Sequence, residues 1–188
     1  MQYPVSCRLT LKGEEDTMEF ATKCIHEIGA ADATSACLGA LDAWLVIRGI
    51  KTLPLRMEQH QKNAFAIAKW LQEQPRVQYV LYPGLENHPG YEINKAQTTG
   101  FGGMISFAVD SAETARQILE GVKLIKFAES LGGTESLITY PIRQTHTDLT
   151  AEECAEKGIT DCLLRFSAGI EATQDLIDDL AQAFAAVE

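Results

Sequence analysis

The stretch DCLLRFSAGIE, residues 161–171, decides how the rest of the chain is read. Leu163, Leu164, Phe166, Ala168 and Ile170 make it a buried strand, and Arg165 stands in its middle. A guanidinium stays charged in proteins. Inside an apolar run it must therefore pair or reach water, because an unpaired buried charge costs several kcal/mol. Its planar fork suits a carboxylate held by two parallel hydrogen bonds. Three readings are open on spacing alone: an anchor for a substrate α-carboxylate, a structural pair with an internal acid, or an outward-facing residue of a half-buried strand.

Working outward, TQDLIDDLAQAFAAV after the strand reads as a closing amphipathic helix, with Leu176, Ile177, Leu180 and Phe184 inward. Asp175, Asp178 and Asp179 read as its solvated face. Before the strand, TAEE (Thr150, Glu153) fits a capping box that opens a short helix. LIKFAE and SLITY are short strand candidates, and SAETARQILEGV reads as a helix capped by Ser111 with Ala115, Ile118, Leu119 and Val122 inward. MISFAV and VQYVLYPG read as strands, and NHPGYEINKAQTTGFGG between them as a loop. The clearest helix is TLPLRMEQHQKNAFAIAKWLQEQ, with Thr52 as N-cap, Pro54 in the first turn, Met57, Ala64, Ala68 and Leu71 on one face, and Pro75 as its stop. ALDAWLVIRG reads as a short buried helix, GAADATSACLG as a bend, a helical pattern begins at Glu14, and YPVSCRLTL is a strand candidate.

Short strands mixed with helices predict an α+β fold: a small sheet with helices packed on one face. The expected division is a helical connecting arm over residues 1–50 and a small domain over residues 51–188. A chain of 188 residues with 46% hydrophobic content supports one sizeable core plus an arm. Its formal net charge of −10 argues against a basic nucleic-acid interface and gives no attraction to an anionic membrane surface. The five cysteines, Cys7, Cys24, Cys37, Cys154 and Cys162, are odd in number and form no C-x-x-C pair, which reads as reduced thiols. MQYPVSCRLTLKGEED has no signal-like apolar segment, and no apolar run reaches the ~18 residues of a membrane span. A cytoplasmic protein is expected.

Two further segments carry candidate chemistry. AESLGGTES places Ser130 and two glycines in a tight loop that either cradles an anion or turns the chain. RQTHTDL contains His146, either a proton shuttle or a loop histidine bonded to backbone. His26, His60 and His88 are isolated, and no H-x-x-x-H or H-E-x-x-H spacing occurs, so no metal site is expected. Phosphate-loop, dinucleotide and hydrolase-elbow motifs do not occur either. Met57, Phe65 and Trp70 read as core rather than cofactor contacts.

Taken in order, LDAWLVIRGIKTLPLRMEQHQKNAFAIAKWL, VQYVLYPGLENHP, GFGGMISF, FAESLGGTESLITYP, QTH and LLRFSAGIEATQDLIDDLAQAF resemble the C-terminal part of one family. This is the transsulfuration, or Cys/Met metabolism, family of pyridoxal phosphate enzymes: cystathionine γ-synthase, cystathionine β- and γ-lyases, methionine γ-lyase and O-acetylhomoserine sulfhydrylase. The likeness covers residues 14–188. Residues 1–13 depart from it, and Ala40-Leu41 stands where the family usually has Pro-Phe.

The resemblance implies the C-terminal domain of a fold-type-I enzyme, whose cofactor, pyridoxal 5'-phosphate, sits in a large domain absent from this chain. By resemblance, Arg165 binds the substrate α-carboxylate at the mouth of its strand, and Ser130 lies beside it. Glu129 lines the side-chain pocket, and Thr145 supports the arginine. The implied reaction removes the α proton, then eliminates a thiol or replaces a γ-substituent. Its substrates would be amino acids such as cystathionine, O-acyl-homoserine, cysteine or methionine. The AESLGG loop with Glu129 leans toward the cystathionine enzymes. The family's Ser-x-Thr-Lys motif does not occur, so no catalytic residue is expected in this chain and activity is expected to need a large domain or partner chain. A homo-oligomer is also expected. The alternative is a free-standing, catalytically inactive domain serving assembly or weak amino-acid binding.

Overall fold

The computed structural model describes residues 38–144 and 149–187. The chain parts into two units between Leu55 and Arg56. The expected strand and helix before residue 38, the bend at GAADATSACLG up to that point, and Thr145 and His146 lie outside the described residues.

Helix α1 spans Ala40–Ile50. The expected helix is there, but among the described residues none of its side chains is buried: Leu41, Trp44, Leu45 and Val46 are all exposed. Burial was expected from the apolar run alone, which carries no information on what would cover it.

Helix α2 spans Leu53–Gln72 and buries His60, Asn63, Ala64, Ile67, Ala68 and Leu71. Met57, expected on that face, is 42% exposed instead. The Thr52 hydroxyl donates to the Gly49 carbonyl at 3.2 Å, tying its residue to the end of α1. Strand β1 (Val77–Leu81) follows, and then a short helix α3 (Tyr91–Gln97) lies where a loop was expected. No residue of α3 is buried, so no apolar periodicity marks it in the sequence. Strand β2 (Met104–Val109) leads into α4 (Ala112–Gly121), whose N-cap Ser111 accepts from the Thr114 amide. Strands β3 (Lys126–Phe127) and β4 (Leu137–Thr139) are shorter than LIKFAE and SLITY suggested. Helix α5 (Ala151–Glu156) opens with the expected reciprocal capping box of Thr150 and Glu153. Strand β5 (Leu163–Ser167) and helix α6 (Thr173–Ala185) close the chain.

The five strands form one sheet in the order β1-β2-β5-β4-β3. β2 pairs antiparallel with both β1 and β5, β5 pairs antiparallel with β4, and β3 joins β4 in parallel. Because strand side chains alternate between faces, Leu164 and Phe166 of β5 enter the main core while Leu163, Arg165 and Ser167 point to the other face. The core joins Ile105, Phe107 and Val109 of β2 and Ile138 of β4 to Ala64 and Ile67 of α2, Ala115 and Ile118 of α4, and Leu176 and Leu180 of α6. Full burial of each such Phe, Leu or Ile stabilises the fold by about 1.5–3 kcal/mol. Trp70 and Phe184 meet edge to face with centroids 5.5 Å apart, linking α2 to α6. Leu163 belongs to a smaller cluster with Cys154 and Ile159.

One acidic residue departs from the solvated-face reading. Asp179 is 6% exposed, and its carboxylate accepts the backbone amides of Lys123, Leu124 and Ile125 at 2.9–3.1 Å. It closes the turn from α4 into β3, where unpaired buried amides would be costly. Asp175 and Asp178 are exposed as expected.

Candidate active site

Arg165 is the central residue of β5, between Ser106 of β2 and Thr139 of β4 in register. It was expected at the mouth of its strand; the pairing places it within the ladder instead. The residue is half-buried. Its Nη2 donates to the Thr139 hydroxyl at 3.3 Å, and its Nε–H is buried with no hydrogen-bond partner among the described residues. No described carboxylate forms an ion pair with it, since the described ion pairs are Arg76–Asp110, Arg116–Glu113 and Arg116–Glu120. Of the three readings from spacing, the internal acid pair fails among the described residues. The half-buried guanidinium on the face away from the core fits both an anion anchor and an outward-facing residue of a half-buried strand, and part of its donor fork is unspent.

The loop that carries Glu129 and Ser130 starts at this arginine's neighbour. Thr139 Oγ1, buried, accepts from Arg165 and donates to the Ala128 carbonyl at 2.8 Å. One hydroxyl thus spans the guanidinium and the residue preceding Glu129. Glu129 and Ser130 are both exposed. Two residues along β5 from Arg165, the Ser167 hydroxyl accepts the Gly132 amide at 2.9 Å. Gly132 has φ +74°, a left-handed conformation that glycine adopts without strain. The structure thus brings Arg165 and the AESLGG loop together; Thr145 lies outside the described residues.

The far end of the loop is fixed more firmly. The Ser136 amide donates to Glu171 Oε1 at 2.6 Å, and the Ser136 hydroxyl donates to Glu171 Oε2 at 2.9 Å. The Gly169 amide donates to Ser136 Oγ at 2.8 Å, and the Ile170 amide to the Thr134 carbonyl at 2.8 Å. Helix α2 supports this turn from behind. Asn63 Nδ2 donates to the carbonyls of Gly169 and Glu171, both at 2.9 Å, and His60 Nδ1 lies 2.6 Å from the Ala168 carbonyl. His60 and Asn63 are buried. Sequence reading passed over Thr139, Ser136, Glu171 and Asn63, and took His60 only as an isolated histidine. The one available signal was the polar residue type at two buried helix positions, His60 and Asn63, in step with Ala64 and Ile67.

The cofactor fit can be tested on the lysines. An imine-forming lysine is enclosed so that its amine is held neutral and aimed. All seven described lysines (51, 62, 69, 95, 123, 126 and 157) are exposed, and Lys126 Nζ is bonded to the Lys123 carbonyl. The described lysines therefore show none of the enclosure that an anchor for pyridoxal phosphate needs. Among them, no three His, Cys, Asp or Glu side chains gather as a metal site, and no helix is long and apolar enough to cross a membrane.

A helix-backed five-stranded sheet of this kind is consistent with the C-terminal domain of fold-type-I pyridoxal phosphate enzymes. The crystal structure of cystathionine γ-lyase from Lactobacillus plantarum complexed with L-serine superposes with a TM-score of 0.78 at 40% identity, over 82% of this chain and 41% of that one. Residues 10–185 match the family described as Cys/Met metabolism PLP-dependent enzyme, and the chain belongs to that family. It is 51% identical over 152 residues to the cystathionine γ-lyase of Bacillus subtilis strain 168, covering 81% of this chain and 40% of the relative. It is 50% identical over 154 residues to the cystathionine γ-synthase of Haemophilus influenzae strain ATCC 51907, covering 82% of this chain and 37% of the relative. The chain thus spans about two fifths of the length of these curated relatives.

Proposed function

We propose that this chain is the carboxylate-gripping part of a pyridoxal phosphate enzyme of sulfur amino-acid metabolism that makes or breaks a C–S bond at the β or γ carbon. The observation that carries this reading is the buried, unpartnered Nε–H of Arg165 beside an Nη2 held by Thr139. When bound, the cofactor supplies the electron sink. Arg165 binds the substrate α-carboxylate and so fixes the direction of the Cα–H bond, an orientation effect. Ser130 lies beside the carboxylate, Glu129 faces the side chain of the substrate, and Thr145 supports the arginine. The near-equal identities of 51% to a lyase and 50% to a synthase leave both reactions within this reading. The cofactor lysine comes from outside the described residues, in a large domain or a partner chain, and this chain alone is inactive. The exposed Leu41, Trp44, Leu45 and Val46 of α1 favour burial against further protein, including other copies in a cytoplasmic homo-oligomer.

The test is a domain exchange. Residues 38–188 replace the matching C-terminal part of the Bacillus subtilis cystathionine γ-lyase, and turnover of cystathionine is followed. Arg165→Ala is expected to raise KM for amino-acid substrates roughly 10- to 100-fold, the range for losing hydrogen bonds to a charged group, with cofactor absorbance intact. Unchanged KM removes Arg165 from the site. The same exposed helix also favours the second reading, a free-standing module without catalysis. That reading gains if the exchanged protein folds, binds cofactor and turns nothing over.

A further inference from the structure

The strongest feature that the proposed chemistry leaves unused is the junction of Glu171, Ser136 and Gly169. It joins the far end of the Glu129–Ser136 loop to the residues that leave β5. The two segments are 35 residues apart in sequence, yet one carboxylate takes both donors of a single serine. That serine's oxygen in turn takes the Gly169 amide. The approach is so close that a Cβ at Gly169 would lie 2.6 Å from the Glu135 carbonyl carbon and closer still to the Thr134 carbonyl oxygen and the Glu171 carboxylate. Only glycine permits this contact. Asn63, fully buried on α2, holds the carbonyls of both Gly169 and Glu171. A carboxylate satisfied by N–H and O–H donors of one residue has directional, charge-assisted bonds, so it fixes distance as well as attachment.

We infer that Glu171 is a positioning residue: by clamping Ser136, it sets the place of the Glu129–Ser130 loop relative to Arg165. Side-chain acceptors and donors from the sheet and the turn after it hold the loop at Ala128 (Thr139), Gly132 (Ser167) and Ser136 (Glu171). The Ile170 amide to the Thr134 carbonyl and the Lys126 amide to the Ser136 carbonyl add backbone ties. Thr139 and Ser167 belong to the sheet itself. Glu171 is the side chain outside it, and its anchor runs through Asn63 to helix α2. Loss of Glu171 therefore loosens the second half of the loop, leaving it to backbone ties, while the strands stay paired. The functional side of this inference rests on the carboxylate reading of Arg165 given above.

The experiment uses the isotopically labelled full chain as wild type, Glu171→Ala and Ser136→Ala. It reads amide hydrogen exchange residue by residue, and the Arg165 Nε–H resonance during titration with L-cystathionine. In Glu171→Ala, the amides of Gly132 and Ser136 are expected to exchange at least about tenfold faster, while Phe107 and Phe166 keep their protection. Ser136→Ala retains the amide donor to Glu171 and should show a smaller change. In wild type, the Arg165 resonance is expected to shift saturably, with weaker affinity in Glu171→Ala. Equal exchange in wild type and Glu171→Ala overturns the clamp, and so does uniform loss of protection across loop and core in both variants. If the wild-type Arg165 resonance ignores cystathionine, the carboxylate reading falls, while the exchange rates still decide the clamp on their own.

Discussion

The Thr139 hydroxyl faces Arg165 across the β4–β5 pair and accepts its Nη2 at 3.3 Å. Thr139 is 1% exposed, so the bond is shielded from competing water. Thr139→Val keeps the shape of the side chain and deletes the partner. In the domain-exchanged enzyme it should raise KM for amino-acid substrates by roughly tenfold or less, the scale of one hydrogen bond to a charged group, and Thr139→Ser should restore it. Equal kinetics for Val and Ser would show that the hydroxyl does not orient the guanidinium.

The unpartnered Nε–H should also be visible as a stability deficit. A buried polar group without a partner costs about 1–3 kcal/mol on mutational scales. Arg165→Met, which retains the unbranched stem and removes the donors, should therefore raise Tm of the chain by about 2–4 °C per kcal/mol recovered while abolishing carboxylate binding. A lower melting temperature, measured by calorimetry, would mean that the guanidinium is already satisfied.

Asp179 and Asp178 are adjacent on α6 and should behave oppositely. Asp179 accepts three backbone amides, whereas Asp178 is exposed and, among the described residues, accepts from Gln174 Nε2. Asp179→Ala should destabilise the chain by about 2–4 kcal/mol, because three buried donors lose their acceptor. Asp178→Ala should lie within about 0.5 kcal/mol of wild type. Urea midpoints compare the two directly.

Alkaline pH probes the interior. Burial pushes the Tyr82 phenol from 10.0 up to about 12, and its O–H donates to the Gly102 carbonyl at 3.0 Å. The unfolded chain releases this proton near its ordinary value while the folded chain still holds it. Tyr82 thus contributes stability that is intact below pH 10 and is lost between pH 10 and about 12. Tyr140 is raised in the same direction, chiefly by burial. Denaturant midpoints taken across that range should fall steeply for wild type and less steeply for Tyr82→Phe.

The strands MISFAV and LLRFS were legible as short apolar runs, and the helix after Thr52 from Pro54, Pro75 and the face that Ala64, Ala68 and Leu71 keep. The Ser111 and Thr150 caps were legible because capping is local, spanning three residues. Helix α3 was not, since it buries nothing and so leaves no pattern. Asp179 was misread because an acid on a helix rim has the same sequence signature whether it meets water or a row of amides. Arg165 stood out at once, but its partner Thr139 is brought to it by strand pairing, and the Ser136–Glu171 pair that holds the nearby loop is made by a loop closure. No window of adjacent residues contains that information. Burial of α1 was expected from composition, and composition does not say which surface would cover it.

The alternation along β5 has a consequence for how such a protein can change over generations. Leu164 and Phe166 hold the fold together, while Arg165 and Ser167, one step away on the opposite face, hold Thr139 and the Gly132 turn of the neighbouring loop. Substitutions on that second face leave the packing of Leu164 and Phe166 against the helices in place. The loop beside Arg165 can therefore vary without refolding the strand, so closely similar chains can differ there while their scaffold stays fixed.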